Sequence, residues 1–434
     1  MWPRGCISVP RVSQRTPQID VLFVNWRDVS HPEGGGSERY VQRIAEGLAA
    51  AGLRITMLCA EHGRAPQEET VNGVRIVRCG HRLSVYPRAL AYVRRHQPRL
   101  VVDVQNGIPF CSTLATRNPV TTIVFHVHKE QWPIVFGPVT GRIGWWLESV
   151  VAPKIYRRVP YVTISDATGR EMAGLGIDAE RISLVPVGTE PIVQVDTPRS
   201  ESPRLITLGR LVPHKQVEHS LEILARLSDR WPDLSLAVVG EGWWEDSLRA
   251  QAERLGVADR VEFTGFLDEQ GKHEQLAAAW VFVCPSVKEG WGMVVIEAGG
   301  HGVPTVGYHS SGGLQESVVD GVSGVLVDDL DQMTDAVARL LEDSDARRAM
   351  GEAAMAHAAT FEWSASVRDF AGVLARSVRM STRPDVRADA ADLVAQLDRI
   401  QHGTGDPTRE LAARLEVSVA GTARSRETAS SGLP

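Results

Sequence analysis

The sequence predicts an α/β chain of two doubly wound domains, each a parallel sheet covered by helices. Three observations predict it. The chain has 434 residues, long for one domain and ordinary for two with a tail. Its β-branched runs are apolar on consecutive residues, the pattern of strands buried on both faces. The alternation of such runs with helical patterns also stops at a polar, Pro-containing stretch, residues 195–203, and then begins afresh.

In the first half the strand candidates are 19–25, 54–60, 74–79, 100–104, 121–126, 161–164 and 183–187. Residues 37–51 read as a helix, with Val41, Ile44, Ala45 and Leu48 on one stripe. In the second half the strands are 204–208, 234–239, 261–264, 281–284, 304–306 and 324–327. Helices fit between them at 217–228, 245–255, 272–279 and 294–299. The expected layout is an extension at 1–18, a first domain at 19–195 and a second at 204–360. A helix at 361–380 then returns to the first domain, and 381–434 forms a partly disordered tail. Within that tail 382–402 reads as one amphipathic helix. Two such domains place a ligand cleft between the carboxyl ends of their strands.

Composition sets outer limits. Hydrophobic residues make up 43% and charged residues 23%, which excludes a disordered or collagen-like chain. The net charge of −6 hides an asymmetry: residues 1–200 hold 24 Lys and Arg against 17 Asp and Glu, and the remainder 23 against 36. A basic first half suits an acidic acceptor or peripheral contact with an anionic membrane. The single-sign runs are short, which suits a solvated, Arg-rich face better. Cys6, Cys59, Cys79, Cys111 and Cys284 form no CxxC pair and suit a reducing compartment. No secretory signal and no apolar run of ~20 residues is present, so the expected location is the cytoplasm, or the inner face of the membrane. Nothing interleaves basic and aromatic residues in the way nucleic-acid binders do.

Three loops carry chemistry. Gly34-Gly35-Gly36-Ser37-Glu38 follows the first strand and opens a helix. Its glycines let backbone amides approach an anion, and Ser37 is the expected cap. Gly209-Arg210-Leu211-Val212-Pro213-His214-Lys215 follows the first strand of the second half. Arg210 and Lys215 there suit a departing diphosphate. The third loop holds Glu289-Gly290-Trp291-Gly292-Met293-Val294 and reaches Glu297 on the next helix. Two carboxylates eight positions apart, with glycine amides between, suit hydroxyls at two points of one donor. Glu297 follows an apolar run, so its burial calls for a partner.

These loops, with Val238-Val239-Gly240-Glu241-Gly242, Phe263-Thr264-Gly265-Phe266, Gly302-Val303-Pro304 and Gly312-Gly313-Leu314-Gln315-Glu316, resemble the donor domain of retaining glycosyltransferases of family 4, the glycosyl transferases group 1. The resemblance runs in order over most of residues 20–375 and is weaker in the first half. It implies the GT-B fold, two Rossmann-like domains facing across a cleft, and transfer of a sugar from a nucleotide diphosphate to a hydroxyl acceptor. It implies that Arg210 and Lys215 hold the diphosphate, that Glu297 meets the ribose and that Glu289 meets the transferred sugar. Gly35 and Gly36 then close on the phosphate, His126 contacts the sugar or the acceptor, and the backbone at Phe266 and Leu267 receives the base. Gly290, Trp291, Gly292, Met293 and Val294 complete the donor site, with no cofactor and no metal. Trp291 stands where the family commonly has Phe, and Val187-Gly188-Thr189-Glu190 departs from the usual end of the first domain. An epimerase or a phosphorylase on the same fold, and a non-catalytic nucleotide-sugar binder, are the alternatives. Two features spell metal ligands: His126 with His128, which lack a third ligand, and Asp329-Leu330-Asp331, which sits late in the second domain.

Overall fold

The computed structural model describes residues 19–129, 131–190 and 192–403, except for the side chains of 134–136. The extension 1–18, with Cys6, and the last residues of the expected tail, 404–434, lie outside the described residues.

Two parallel sheets organise the chain. The first contains β1 (Val21–Val24), β2 (Ile55–Cys59), β3 (Glu68–Val71), β4 (Val74–Arg78), β5 (Leu100–Gln105), β6 (Val120–Val124), β7 (Tyr161–Thr163) and β8 (Ile182–Leu184). Its order is β3-β4-β2-β1-β5-β6-β7-β8. β3 alone runs antiparallel, and it was not among the sequence candidates. It is an edge strand with alternate residues exposed, so no consecutive apolar run marks it. The second sheet contains β9 (Arg204–Leu208), β10 (Ser235–Val239), β11 (Val261–Gly265), β12 (Val281–Cys284), β13 (Thr305–Tyr308) and β14 (Gly324–Val327), in the order β11-β10-β9-β12-β13-β14. All its pairs are parallel. The strand direction of winding reverses between β1 and β5 in one sheet and between β9 and β12 in the other, which is where such sheets open a crevice.

The end of the chain completes the first unit. Helix Trp363–Arg379 lies against helix Gly36–Ala50, so closely that a Cβ on Gly47 would stand 2.4 Å from Val367 Cγ2. Phe370 stacks on Phe23 of β1 with ring centroids 6.0 Å apart. Residues 382–402 form two helices, not the single helix expected: Pro384–Asp389 and Ala391–His402. Ala390 leaves helical geometry between them, and Leu393, Leu397 and Ile400 then turn onto the core that holds Phe370.

The chain crosses between the units twice, and the crossings touch. Thr189 N donates to Phe361 O at 2.9 Å. A Cβ on Gly188 would stand 2.4 Å from Trp363 N, so the contact needs glycine.

Candidate active site

The loop after β1 is anchored from below. Asp28 is buried and accepts from Arg78 Nε at 2.5 Å, from Ser30 N at 2.8 Å and from Ser30 Oγ at 2.7 Å. Burial pushes its pKa up, but Ser30 and Arg78 outweigh burial and hold it low. Above this anchor the chain folds inward at Gly34, where a Cβ would meet the carbonyl oxygens of His31, Asp28 and Val29 at 3.0–3.3 Å. Ser37 is not the helix cap. Helix Gly36–Ala50 begins at Gly35, whose N–H donates to Glu38 Oε2 at 2.8 Å. Ser37 Oγ donates to the same oxygen at 2.9 Å, and Arg27 Nε donates to Glu38 Oε1 at 3.2 Å. A carboxylate one turn into the helix thus holds the Gly35 amide. Gly36 faces the other unit: a Cβ there would stand 3.0 Å from Met293 Sδ.

The loops after β9 and β12 meet at the switch point of the second sheet. Val287 N donates to His214 O at 2.9 Å and ties them together. Lys215 Nζ and Glu289 Oε1 are 2.5 Å apart, and Ser286 Oγ donates to the same oxygen at 2.7 Å. Sequence reasoning gave Lys215 and Glu289 separate partners; the structure brings them together as an ion pair. Burial raises the Glu289 pKa, and Lys215 together with the Ser286 hydrogen bond outweighs burial and keeps the carboxylate ionised. Burial, then Lys215, push His214 down to about 4, so His214 is neutral near pH 7. The Arg210 side chain has no hydrogen-bond or ion-pair partner among the described residues. Its side chain reaches solvent on one side and is crowded on the other, where burial and then Arg27 lower its pKa. A guanidinium starts so high that it keeps its charge. Its free donors make it the cation most ready for an anion.

Gly292, at φ 91°, opens the helix Met293–Gly300. A Cβ on Gly290 would stand 3.1 Å from Phe125 O, so this loop presses on the first unit. Trp291 does not line the cleft with its ring. It is 3% exposed and packs edge-on against Phe361, centroids 4.7 Å apart, so its backbone alone is available to a donor. Val294 packs partly buried beside the core of the second sheet. Glu297 is buried and has the partners its position calls for: Lys272 Nζ at 3.0 Å and Arg39 Nη1 at 3.8 Å. Arg39 Nη2 also lies 2.8 Å from Glu269 Oε1, and Lys272 Nζ 2.8 Å from Glu269 Oε2. Arg39 belongs to the first unit and the other three residues to the second. Sequence reasoning missed Arg39, Glu269 and Lys272. The available signals were a cation one residue beyond Glu38 and a Glu-x-x-Lys spacing in helix Glu269–Ala278.

His126 lies just beyond β6, with Nε2 3.1 Å from Gln131 Oε1. Burial, then His128, push its pKa well below the usual range, so it is a neutral imidazole at physiological pH. The His126 and His128 rings are 4.1 Å apart, but His128 Nδ1 is engaged by Glu148 Oε1 at 2.9 Å. No group of three or more His, Cys, Asp or Glu among the described residues is placed to hold a metal. Asp329 caps helix Leu330–Glu342 through Gln332 N, and Asp331 pairs with Arg226 at 2.6 Å. Phe266 N donates to Glu241 Oε1 at 3.2 Å, its ring is 70% exposed, and Leu267 packs on the core of the second sheet.

Two family profiles match end to end across this geometry. Residues 35–188 match the glycosyl transferase 4-like domain, and 189–357 match glycosyl transferases group 1. The chain belongs to the group 1 glycosyl transferases. It is 32% identical over 244 residues to the GDP-mannose-dependent alpha-(1-6)-phosphatidylinositol monomannoside mannosyltransferase of Mycobacterium tuberculosis, covering 52% of this chain and 62% of that protein. It is 38% identical over 170 residues to the D-inositol 3-phosphate glycosyltransferase of Corynebacterium glutamicum, covering 37% and 40%. The chain therefore spans less than two thirds of these relatives. Among solved structures, sucrose-phosphate synthase from Thermosynechococcus elongatus superposes with a TM-score of 0.71 at 20% identity, covering 84% of this chain and 100% of that one. Anabaena Alr3699/HepE, solved with UDP and glucose, gives 0.67 at 18% identity, covering 83% and 100%. The fold of this group 1 chain is GT-B. Among the described residues no helix is long and apolar enough to cross a membrane.

Proposed function

We propose that this chain is a retaining glycosyltransferase that moves a sugar from a nucleotide-diphosphate donor to a hydroxyl acceptor without a metal ion. The observation that carries the reading is the meeting of four features at one switch point. Unpartnered Arg210 and the Lys215–Glu289 pair stand at the strand ends, with the Gly290–Gly292 backbone beside them and Gly36 opposite, against Met293. Cations fixed where a diphosphate departs stabilise the charge that develops there. In this reading Arg210 and Lys215 hold the diphosphate, and Glu289 meets the sugar. Glu297 reaches the ribose by exchanging part of its bond to Lys272. The departing oxygen takes the acceptor proton on the face it leaves. Neutral His126 donates or accepts at the sugar or the acceptor without adding a second positive charge. Relatives named for GDP-mannose and a fold neighbour solved with UDP support a nucleotide-sugar donor.

The test is the thermal shift produced by UDP, GDP, ADP and dTDP, with and without EDTA, in wild type and Lys215→Ala. A ligand at 100 times its Kd adds about 2.7 kcal/mol. One nucleotide should shift the wild type, with EDTA making no difference, and shift the variant less. A shift abolished by EDTA would overturn the metal-free reading, and an equal shift in the variant would overturn the assignment of Lys215.

A further inference from the structure

Helix Gln131–Trp146 starts at the residue that bonds His126 and is broken at Gly137, where φ is 75°, before Pro138. Beyond the break its two faces differ. The inner face is locked onto the helix's own first turn: a Cβ on Gly141 would stand 2.8 Å from Trp132 O, and one on Gly144 2.3 Å from Trp132 Cε3. Trp132 Nε1 in turn donates to Glu148 Oε2 at 2.6 Å. The outer face carries Val139, Ile143 and Trp146, at i, i+4 and i+7, exposed by 71%, 56% and 54%. Three large apolar side chains on one stripe of a firmly held helix are not a loose end; they are a surface.

The exposed charges of this helix beyond the break and of the segment that follows it have one sign. From Pro138 to Arg158 the exposed ionic side chains are Arg142, Lys154, Arg157 and Arg158, and none has an ion-pair partner among the described residues. The single acid in this stretch, Glu148, is 3% exposed and is taken up by His128 and Trp132. An apolar stripe that carries a tryptophan, on a helix whose own exposed charge and those of the segment after it are all cationic, matches the boundary of an anionic bilayer, where apolar groups enter the acyl edge and cations meet lipid phosphates. A protein partner of average surface would leave four unpaired cations uncompensated.

We propose that this face docks the chain on an anionic lipid bilayer. The docking stands whatever the chemistry of the cleft. Combined with the transferase reading, on which this step rests, it places the end of the chain leading to His126 at the membrane, and the acceptor hydroxyl on a lipid.

Flotation with phosphatidylcholine vesicles, with and without phosphatidylglycerol, tests it. Wild type should float with the anionic vesicles alone, and less so as salt rises. Replacing Val139, Ile143 and Trp146 together by Ser should abolish flotation at an unchanged melting temperature. Arg142→Gln with Arg158→Gln should weaken it about fivefold per cation and flatten the salt dependence. Val322→Ser, an exposed apolar residue of the second unit, should change nothing. Three outcomes would overturn the proposal: no flotation of wild type, equal flotation on uncharged vesicles, or a dimer in sedimentation that the triple variant dissociates. Because the nucleotide thermal shift needs no vesicle, loss of docking with the shift intact would leave the transferase reading standing, and the reverse would leave the docking face standing.

Discussion

The two carboxylates of the third loop sit eight positions apart and are held in opposite ways. Glu289 is fixed within one unit: Lys215 and Ser286 both come from strand-end loops of the second sheet. Glu297 is fixed across two: Lys272 belongs to the same sheet's helices, and Arg39 reaches over from the first. Glu289 is therefore set when the second unit folds, whereas Glu297 is fully set only when the units close. In the proposed reading, the sugar end of the site is then a product of folding, and the nucleoside end a product of closure.

The contrast can be broken most sharply at Lys215. Lys215→Ala leaves Glu289, whose side chain is 12% exposed, without its countercharge. Stability should fall by about 1–3 kcal/mol, and turnover by on the order of 100- to 1,000-fold. Thermal melts and initial rates measure both. Adding Glu289→Gln should restore most of the stability and none of the turnover; a double variant as unstable as the single one would remove the pair from the account.

Next comes Arg39→Gln, which removes the cross-unit member alone. Donor KM should rise about tenfold with kcat changed less, since the lost interaction positions the bound donor. Arg39 and Glu269 are 35% and 45% exposed, so the melting temperature should barely move. A fall in kcat at constant KM would show that Arg39 does not act through the nucleoside end.

Acid sharpens the same contrast. Burial raises the pKa of Glu269, but Arg39 and then Lys272 outweigh it and bring it to about 2, below the ordinary 4.5. A carboxylate depressed by folding adds stability that is complete above about 4.5 and lost as pH falls through about 2. Because both side chains are more than a third exposed, the effect is small: melts over that window should show a slight loss of stability, and Arg39→Gln should flatten that part of the pH dependence.

The smallest effect on donor binding belongs to Trp291→Phe. The ring packs on Phe361 outside the cleft, so the substitution should cost no more than about 1–3 kcal/mol in stability and leave the donor KM unchanged. A shifted KM would return that side chain to the donor site.

Much of this was legible in the sequence because the buried parallel strands write themselves as consecutive apolar residues. β9, β12 and β14 have the bounds read from the sequence, 204–208, 281–284 and 324–327. β3 escaped that reading, although Asn72 and Gly73, both at positive φ, spell the tight turn that pairs it with β4. The positions of Lys215 and Glu289 in strand-end loops, and of Glu297 in the helix that follows, were equally legible. Their bonds were not. Which cation meets which acid depends on how two loops cross at a switch point and how two units meet, and neither distance is written in local spacing. The cap of the first helix shows the same limit on a smaller scale: Ser37 has the right chemistry, but the turn at Gly34 places Gly35 at the cap position and gives the work to Glu38.

The packing of Phe370, Val367 and Leu397 beside Phe23 and Val41 has a consequence for how the protein is made. A ribosome releases the first unit's strands long before the helices that seal them. The second unit, whose core draws on residues 205–341, has all its parts while that seal is still inside the exit tunnel. The half that is synthesised first is thus finished last, and its sheet waits with one apolar face open to whatever guards nascent chains. A stop codon after residue 360 would spare the later half and ruin the earlier one.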